Sequence, residues 1–493
     1  MTNVPTGPAE VRQEAVPESG VRTYVLLWIS QWLACAAVSF TVFVVGVNIF
    51  VDFYDSLWLI ALGYAILFVP FPILSPLAGV FVDRFGQRPA LLISNIGTLI
   101  NLVVLVVMML TDNDGAWYAL CAVGTSTILR TLQLCAIESV VPLLVPKRHY
   151  GRANGPRMLL TGTFVLAGPL LAYILLSFFE PVTIVMAECV LVVIAIAVVF
   201  SIRLPATPKP DGAAPGPSAG QSVVAAVMEA WTYLRSKKGL LTMVGFLAIV
   251  SGVLGALEVA ASGVVVGFSD DIGAIVVSTS CWLGMVVASI LMVVWGVPRR
   301  IVRGGLLGAG LVFALALMTA GFRPNLVLVS VGGFVAMGSL AIVIASFQTV
   351  LHLKVEQHLL GRAVGIKNSA VTLSHIVGDV GSLVVGIGIF ANAERATGDG
   401  VWGWRVGQGW EGVDSPVLAA IIGDGPGRGW ALFMMLIGVG VAAVVAILRF
   451  RGRALNRVEN DLPDLTPQDR LVLSSGDAVP TGITESAPEY RST

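Results

Sequence analysis

The sequence has little charge. Of its 493 residues, 12% are Asp, Glu, Lys or Arg, about half the fraction that a soluble domain carries. Apolar residues make up 56% of the chain, and the mean hydropathy is +0.87. These values exclude a soluble enzyme. The balance of 30 basic against 30 acidic residues also excludes a protein that binds nucleic acid through a basic surface.

The sequence also lacks the patterns of metal and cofactor chemistry. Its five cysteines stand singly in apolar runs without CxxC spacing, so the sequence suggests neither a disulfide framework nor a zinc site, and we interpret them as packing residues. No GxxxxGK[ST] loop occurs, so nothing indicates ATP hydrolysis. The four histidines form neither a metal-spaced cluster nor a Ser-His-Asp arrangement. We therefore expect no enzyme activity, no cofactor and no bound metal.

Long runs of apolar residues make up most of the sequence. A helix needs about 20 apolar residues to cross a bilayer. Twelve runs of this kind occur, at residues 24–50, 57–82, 89–110, 116–145, 158–179, 182–202, 240–266, 272–297, 304–321, 326–351, 363–390 and 430–450. Residues 1–22 are polar and acidic, and the first run is too long for the core of a signal peptide, so no cleavable signal is expected. The sequence predicts an all-α membrane protein with twelve transmembrane helices.

Lysine and arginine collect on one side of these predicted helices. That side carries, among others, Arg84, Arg88, Arg152, Arg157, Arg299, Arg300, Arg362, Lys367, Arg449 and Arg451. The opposite side carries mostly acidic residues, such as Asp52, Asp112 and Glu180. Because basic short loops stay in the cytoplasm, we expect both termini to be cytoplasmic and the protein to lie in the inner (plasma) membrane.

A segment rich in Pro, Gly, Ala and Ser at 204–222 predicts a flexible linker between two groups of six helices. A shift of 210 positions supports this split. It lays Val145, Gly151, Arg152, Ala153, Gly155 and Arg157 over Val355, Gly361, Arg362, Ala363, Gly365 and Lys367. Chance matching in a chain rich in Gly, Ala and Val is the alternative. The predicted division is an N-terminal tail at 1–22, helical bundles at 23–203 and 239–451, a cytoplasmic linker at 204–238, and a disordered tail at 452–493.

The most specific motif lies in the loop after the second predicted helix. Residues 79–88 read GVFVDRFGQR, which resembles the loop signature GxxxDRxGRR of the major facilitator superfamily and departs from it at Gln87. The resemblance implies two pseudo-symmetric six-helix bundles that rock about a central cavity. The second-half counterpart, read at 297–303, keeps the bases and loses the acid.

The resemblance also implies a conformational latch. Gly79 allows two helices to approach closely, and Gly86 permits a tight reversal. Asp83 is expected to face the positive end of the eleventh helix near Gly361, a contact that favours the outward-open state in the family. The predicted latch residues are Gly79, Asp83, Arg84, Gly86 and Arg88.

Weaker resemblances indicate a branch of the family. Arg130 and Gln133 stand as in the RxxQG element of the fourth helix, and Gly162, Gly168 and Pro169 resemble the GPxxGG element of proton-coupled antiporters. Ala172 and Tyr173 replace the glycine pair of that element. Residues 142–148 with 152–154 resemble the transmembrane secretion effector branch, which holds siderophore exporters and macrolide-type efflux pumps. The resemblance implies export of a small amphipathic substrate (drug, siderophore or lipid-like metabolite) in exchange for protons.

Ionisable residues inside the predicted spans are candidates for proton coupling, because hydrocarbon does not tolerate an unpaired charge. They are Arg130, Glu138, Glu258, His375 and Asp379. Structural ion pairs are the alternative. Gln31, Gln133 and Gln348 are candidates for the substrate cavity, or equally for hydrogen bonds between helices.

The outer loop at 391–429 is long and contains Trp402, Trp404 and Trp410. A small hairpin or lid over the outer mouth is one interpretation, and a mobile insertion without a transport role is the other. Two other functions stay open on the same scaffold: an importer or uniporter of a small solute, and a transport-inactive membrane receptor. We expect a monomer among membrane lipids.

Overall fold

A computed structural model describes residues 20, 22–35, 57–111, 116–146, 149–159, 162, 174–202, 204, 222–266, 269, 271–385, 428–452, 455 and 458. Thirteen labelled helices lie in this part of the chain. They are α1 (22–35), α2 (Leu57–Phe68), α3 (Pro70–Phe85), α4 (Gln87–Leu110), α5 (Ala116–Leu144), α6 (Pro181–Ser201), α7 (Val223–Ser236), α8 (Lys238–Val266), α9 (Asp271–Trp295), α10 (Ala309–Phe322), α11 (Leu326–Lys354), α12 (Gln357–Val385) and α13 (Arg428–Arg451). A short helix, Tyr150–Ala153, precedes Arg157, and a π-helix, Ile301–Gly308, leads into α10.

The long helices bury some polar side chains and expose apolar ones. On α4, the buried face carries Ser94, Asn95 and Thr98. Its exposed face carries Ile96, Ile100, Val103 and Val107. This order is the reverse of a surface helix in a soluble protein and is what a lipid-facing helix requires.

Nine helical segments of the described chain are long and apolar enough to cross a membrane. They correspond to the second, third, fourth, sixth, seventh, eighth, ninth, tenth and twelfth predicted spans. The second span is interrupted at Val69, just before Pro70, so α2 and α3 form it together. The eleventh span is described as α12, whose charged residues make it less apolar. The first and fifth spans lie largely outside the described residues.

The helices pack into two groups, and the two groups contact each other. In the first group, α5 packs on α2, α3 and α4, and α4 packs on α6. In the second group, α8 packs on α12 and α13, α9 on α11, and α10 on α11 and α13. The groups meet where α12 packs on α3 and α5. One apolar core of buried residues extends through both groups.

The predicted repeat has a structural signature. Gly86 follows α3 with a φ of +92°, and Gly296 follows α9 with a φ of +82°. These residues stand 210 positions apart, which is the spacing of the sequence repeat. A residue at φ near +90° is strained unless it is glycine. When the chain is aligned on these two glycines, Val293 near the end of α9 stands at the position that Asp83 occupies near the end of α3.

The linker contains a helix that the sequence analysis did not predict. Ser222 caps α7 by accepting a hydrogen bond from the amide of Ala225 (3.2 Å). Ala226, Ala230 and Leu234 form its buried face. Near the C terminus, Leu455 and Val458 are buried in the main core, within the segment for which a disordered tail was predicted.

Candidate functional site: a charged interface between the two helical groups

Helices α3 and α12 cross with their backbones in contact because glycines line the crossing. A Cβ on Gly79 would overlap the carbonyl of Gly361, and a Cβ on Gly365 would lie 2.8 Å from the Cα of Pro76. Both distances are shorter than real Cβ contacts allow. The predicted close approach at Gly79 is therefore present, and it brings the end of α3 against the first turns of α12.

The end of α3 places Asp83 at two amide groups in the second turn of α12. Its Oδ1 accepts a hydrogen bond from the Gly361 amide (2.8 Å), and its Oδ2 accepts one from the Arg362 amide (3.0 Å). Nε of Arg362 also donates to Oδ2 (3.1 Å). The Asp83 and Arg362 side chains are each 2% exposed. Asp83 thus faces amide groups near Gly361, as the resemblance implied for this aspartate, whereas its buried guanidinium partner was not predicted.

Arg362 connects this contact to the linker helix. Its Nη1 donates to Oε2 of Glu229 on α7 (2.8 Å) and to the carbonyl of Ala226 (3.3 Å). Its Nη2 donates to the carbonyl of His358 (3.0 Å). Arg362 thus joins α3, α7 and α12, and Glu229 is a functional candidate that sequence reasoning missed.

The other predicted latch residues serve the loop itself. Gly86 adopts its positive φ and donates its amide to the carbonyl of Val82 (2.9 Å). Nη2 of Arg88 donates to the carbonyl of Phe200 near the end of α6 (2.7 Å), which ties α4 to α6. Arg84 is exposed, with its guanidinium 5.6 Å from the ring centre of Phe85.

A second buried charge cluster lies deeper in the same interface. Oε1 of Glu138, on α5, pairs with Nη2 of Arg157 (2.6 Å), and Oε2 pairs with Nζ of Lys367 on α12 (2.9 Å). The side chains of Glu138 and Lys367 are 1% and 3% exposed. One buried carboxylate is therefore shared by two cations, one from each helical group.

Residues of α11 complete this cluster. Lys367 also donates to Oε1 of Gln348 (3.4 Å), and Nε2 of His352 lies 2.9 Å from the carbonyl of Glu138. Gln348 stands 210 positions after Glu138, and Lys367 stands 210 positions after Arg157. The repeat thus supplies two acceptors and two cations, but only the first-half acceptor carries a charge. Gln348 lies here rather than in an open cavity.

The remaining predicted polar residues of the first group lie near each other. Nε2 of Gln133 donates to Oε1 of Gln31 (2.7 Å) and to Oδ1 of Asn95 (3.1 Å), which joins α5 to α1 and α4. Both glutamines are buried, an arrangement that favours hydrogen bonding between helices over a free cavity surface. Arg130 is exposed and forms no ion pair within the described part of the chain.

Glycines also bring α8 against α12 toward the end opposite to Asp83. A Cβ on Gly378 would overlap the carbonyl of Gly252, and a Cβ on Gly255 would overlap that of His375. The crossing places Glu258 of α8 beside His375 of α12, with Oε2 and Nε2 3.5 Å apart. Oδ2 of Asp379 lies 3.7 Å from the same nitrogen. The structure therefore brings together three of the predicted coupling residues, and their ligand atoms lie within 4.8 Å of one another.

This three-residue group is linked to the first helical group by a tyrosine. The hydroxyl of Tyr64, on α2, donates to Oδ2 of Asp379 (2.8 Å). We call Tyr64, Glu258, His375 and Asp379 the acid cluster. Its carboxylates differ in exposure, since the side chain of Glu258 is 47% exposed and that of Asp379 is 7% exposed. Sequence reasoning missed Tyr64, because an isolated tyrosine in an apolar run gives no sign of a partner 315 residues away.

The antiporter-type motif is described only in part. Gly162 is buried, and a Cβ there would lie 3.0 Å from Cγ2 of Val286 on α9. Gly168 and Pro169 lie outside the described residues, as does most of the predicted outer loop.

Two repeated helical bundles that pack against each other in a membrane are typical of secondary transporters. The Major Facilitator Superfamily profile matches residues 27–378. The chain therefore belongs to the major facilitator superfamily, whose members are transporters, and the twelve predicted helices agree with that fold. A comparison with curated proteins finds no match.

Solved structures share this fold at low sequence identity. The chain is similar to the human organic anion transporter MFSD10, with a TM-score of 0.63 and 13% identity, covering 86% of this chain and 99% of that one. It is similar to the proton:xylose symporter XylE, with a TM-score of 0.57 and 13% identity, covering 89% and 99%. It is also similar to the E. coli fucose:proton symporter FucP, with a TM-score of 0.57 and 12% identity, covering 88% and 99%.

Proposed function

We propose that the protein is a secondary exporter that exchanges protons for an amphipathic small molecule by alternating access. The proposal rests on helix α12. This helix contains Arg362, the partner of Asp83, and Asp379 of the acid cluster, which are 17 residues and about 26 Å apart. A rigid helix that contacts the first group at both places can couple occupancy of the acid cluster to the state of the latch.

In this proposal the two helical groups are closed against each other at the end that carries Asp83 and the basic loops, which we call the basic end. Asp83 bonded to α12 and Glu138 bonded to Lys367 hold the two groups together there. Glu258 remains half exposed toward the opposite end. With both termini in the cytoplasm, as the basic loops favour, this arrangement is an outward-open state of a protein in the inner membrane.

Two roles are assigned to the predicted coupling residues. Glu258, His375 and Asp379 exchange protons, because they meet at an accessible place between the groups. Glu138 belongs to the closing contacts, because two cations already neutralise it. Arg130, which was predicted as a coupling residue, is exposed and belongs to neither cluster, so it receives neither role.

Export is favoured by the antiporter-type glycines and by the secretion-effector resemblance. The test is substrate-induced proton release in everted vesicles that contain the protein. After acidification of the lumen, a transported solute is expected to discharge the proton gradient only when the wild-type protein is present. The Asp83→Asn variant is expected to transport more slowly. Glu180→Gln, at the exposed start of α6, is the matched carboxylate control and should transport like the wild type.

The alternative functions give different results. An importer accumulates solute in right-side-out vesicles under an inward proton gradient. A uniporter shows counterflow without proton movement, and a receptor binds solute with neither. Any of these three patterns contradicts the proposed exchange.

A further inference from the structure

We infer that a cavity between the two helical groups at the basic end binds a phosphate monoester, whose oxygens lie between the guanidinium groups of Arg152 and Arg299. The cavity has a volume of about 400 Å³. One wall is the loop after α5, with His149, Gly151 and Arg152, and the other is the segment from Trp295 to Arg299, with Ile301. The cavity shares no residue with the acid cluster, so this inference goes beyond the proposed function.

Close backbone packing fixes the position of Arg152 at this cavity. A Cβ on Gly151 would lie 2.9 Å from the amide nitrogen of Val297, which is shorter than real Cβ contacts allow. Gly296 turns the chain after α9 with its φ of +82°, and a Cβ on it would lie 3.5 Å from Cγ of Arg152. The stem of Arg152 therefore lies against this turn, which borders the cavity.

The repeat shows which charge is missing beside Arg152. Arg152 stands 210 positions before Arg362, whose guanidinium pairs with Asp83. The residue 210 positions after Asp83 is Val293, which carries no charge. In the part of the chain that the structure describes, neither Arg152 nor Arg299 forms an ion pair. The first half thus supplies an anion for its arginine, whereas the second half supplies none, and an external anion compensates the charge.

The lining of the cavity favours phosphate over other anions. It contains two arginines, and none of the described lining residues is acidic. Each guanidinium presents its N–H donors in a planar fork that matches two oxygens, so two forks together suit the three terminal oxygens of a phosphate monoester better than the two of a carboxylate. Two guanidinium groups also balance the two charges of the monoester. The volume of the cavity leaves room for the organic part of the ester.

A phosphate monoester can reach this cavity from two sources. Trp295 ends the candidate membrane span of α9 and is 74% exposed, and tryptophan at the end of a span is typical of the membrane surface. A lipid with a phosphate monoester headgroup therefore reaches the cavity from the bilayer. A soluble phosphate ester reaches it from the aqueous side. Both bring the same group to Arg152 and Arg299.

A bound phosphate joins the two helical groups. Arg152 follows α5 of the first group, and Arg299 follows α9 of the second. Separation of the groups at the basic end moves the two guanidinium groups apart, so a ligand held by both favours the closed end. The phosphate then adds a second contact of the kind that Asp83 makes with α12.

The test uses two probes with one headgroup, dihexanoyl-phosphatidic acid and glycerol 3-phosphate. The full chain is purified in an uncharged detergent, and native mass spectrometry counts the bound molecules during a titration. We expect one saturable site for at least one of these probes. We expect none for dihexanoyl-phosphatidylcholine, whose phosphate is a diester that carries a choline cation.

Matched variants test the two arginines. Arg152→Gln and Arg299→Gln are each expected to weaken binding about tenfold or more, because each removes hydrogen bonds to a charged group. Arg300→Gln removes the same charge from an adjacent exposed residue that does not line the cavity, so it should weaken binding less than twofold. Because Arg152 and Arg299 are exposed, their substitution leaves the core intact.

A competition on the wild-type protein does not depend on the variants. Inorganic phosphate is expected to displace the bound probe, and sodium chloride at the same ionic strength is expected to displace much less. Absence of a saturable site for both probes overturns the inference. So does binding that survives in the Arg152→Gln, Arg299→Gln double variant, or an equal loss in Arg299→Gln and Arg300→Gln, because surface charge alone would then explain it.

The two probes also distinguish the sources of the phosphate. Binding of phosphatidic acid alone, weakened by Trp295→Ala, supports the cavity as a lipid site. Equal binding of glycerol 3-phosphate that Trp295→Ala does not change supports it as a site for a soluble ester. These measurements need no transport, so the phosphate site and the proposed exchange stand or fall separately.

Discussion

Asp83 and Gly361 are joined by a hydrogen bond of 2.8 Å although 278 residues separate them in the chain. The contact requires glycine on both helices, because a Cβ on Gly361 would overlap the Asp83 carboxylate and a Cβ on Gly79 would overlap the Gly361 carbonyl. It joins the first helical group to the second at the basic end. Loss of this bond is therefore a necessary step if the two groups separate there.

The first prediction concerns the charge of this aspartate. Asp83→Asn keeps the volume and removes the anion from the start of α12, at a cost of about 1–2 kcal/mol to the closed state. We expect transport to fall while membrane expression is kept. The measurement is the rate of solute-driven proton release per amount of inserted protein. Glu229→Gln, which removes the half-exposed partner of Arg362, is expected to have a smaller effect, and full transport by Asp83→Asn contradicts the latch.

The second prediction concerns the buried cluster around Glu138. Glu138→Gln leaves Arg157 and Lys367 without their anion, and removing one partner of a buried pair costs about 3–5 kcal/mol. Lys367→Met keeps the Glu138–Arg157 pair and should destabilise the protein less. The double variant should recover part of the loss. Thermal unfolding of the purified proteins measures all three, and equal losses for both single variants argue against one shared carboxylate.

The third prediction tests the structural repeat. Gly86→Ala and Gly296→Ala each force a side chain into a positive φ and should destabilise the fold by about 1–3 kcal/mol. Gly245→Ala is the control, because a Cβ at this helical position meets open space. It should be neutral or slightly stabilising. The measurement is the thermal stability of the three variants. An unchanged stability of Gly296→Ala would contradict the structural repeat.

The fourth prediction concerns the second half of the chain, which has a valine at the position that Asp83 occupies in the first half. Val293 stands 210 positions after Asp83, and its amide lies 3.0 Å from where a Cβ on Gly155 would be. Val293→Asp places an acid beside Gly155, at the position that the 210-residue shift pairs with Asp83. We expect it to favour the closed basic end and to slow transport, whereas Val293→Asn should slow it less. A transport rate that rises with the aspartate contradicts this assignment.

The fold could be predicted from local sequence patterns, and the contact of Asp83 with the eleventh helix from the resemblance of its loop to the family signature. Run lengths predict helices, and the DRFGQR loop carries Gly79, Asp83 and Gly86 at fixed spacing. Helix α7 was missed although Ser222 and the spacing of Ala226, Ala230 and Leu234 predict a capped helix. The Pro- and Gly-rich residues before it dominated the interpretation of that segment.

The long-range pairs could not be predicted in the same way. Lys367 was read as a cytoplasmic base, yet it lies buried against Glu138, 229 residues earlier in the chain. Which acid meets which base depends on how α5, α11 and α12 cross, and a single sequence does not contain that geometry. The same holds for Tyr64 and Asp379, which belong to different helical groups.

The most direct test of the account measures whether the two groups separate at the basic end. Spin labels are placed at Ser201→Cys and Arg451→Cys, the exposed ends of α6 and α13, after replacement of the five native cysteines. Pulsed electron resonance then gives the distribution of distances in nanodiscs. We predict one dominant short distance in the otherwise unchanged protein and an added longer population in Asp83→Asn, with no change in Glu180→Gln. Identical distributions in all three proteins would contradict a latch formed by Asp83 and α12.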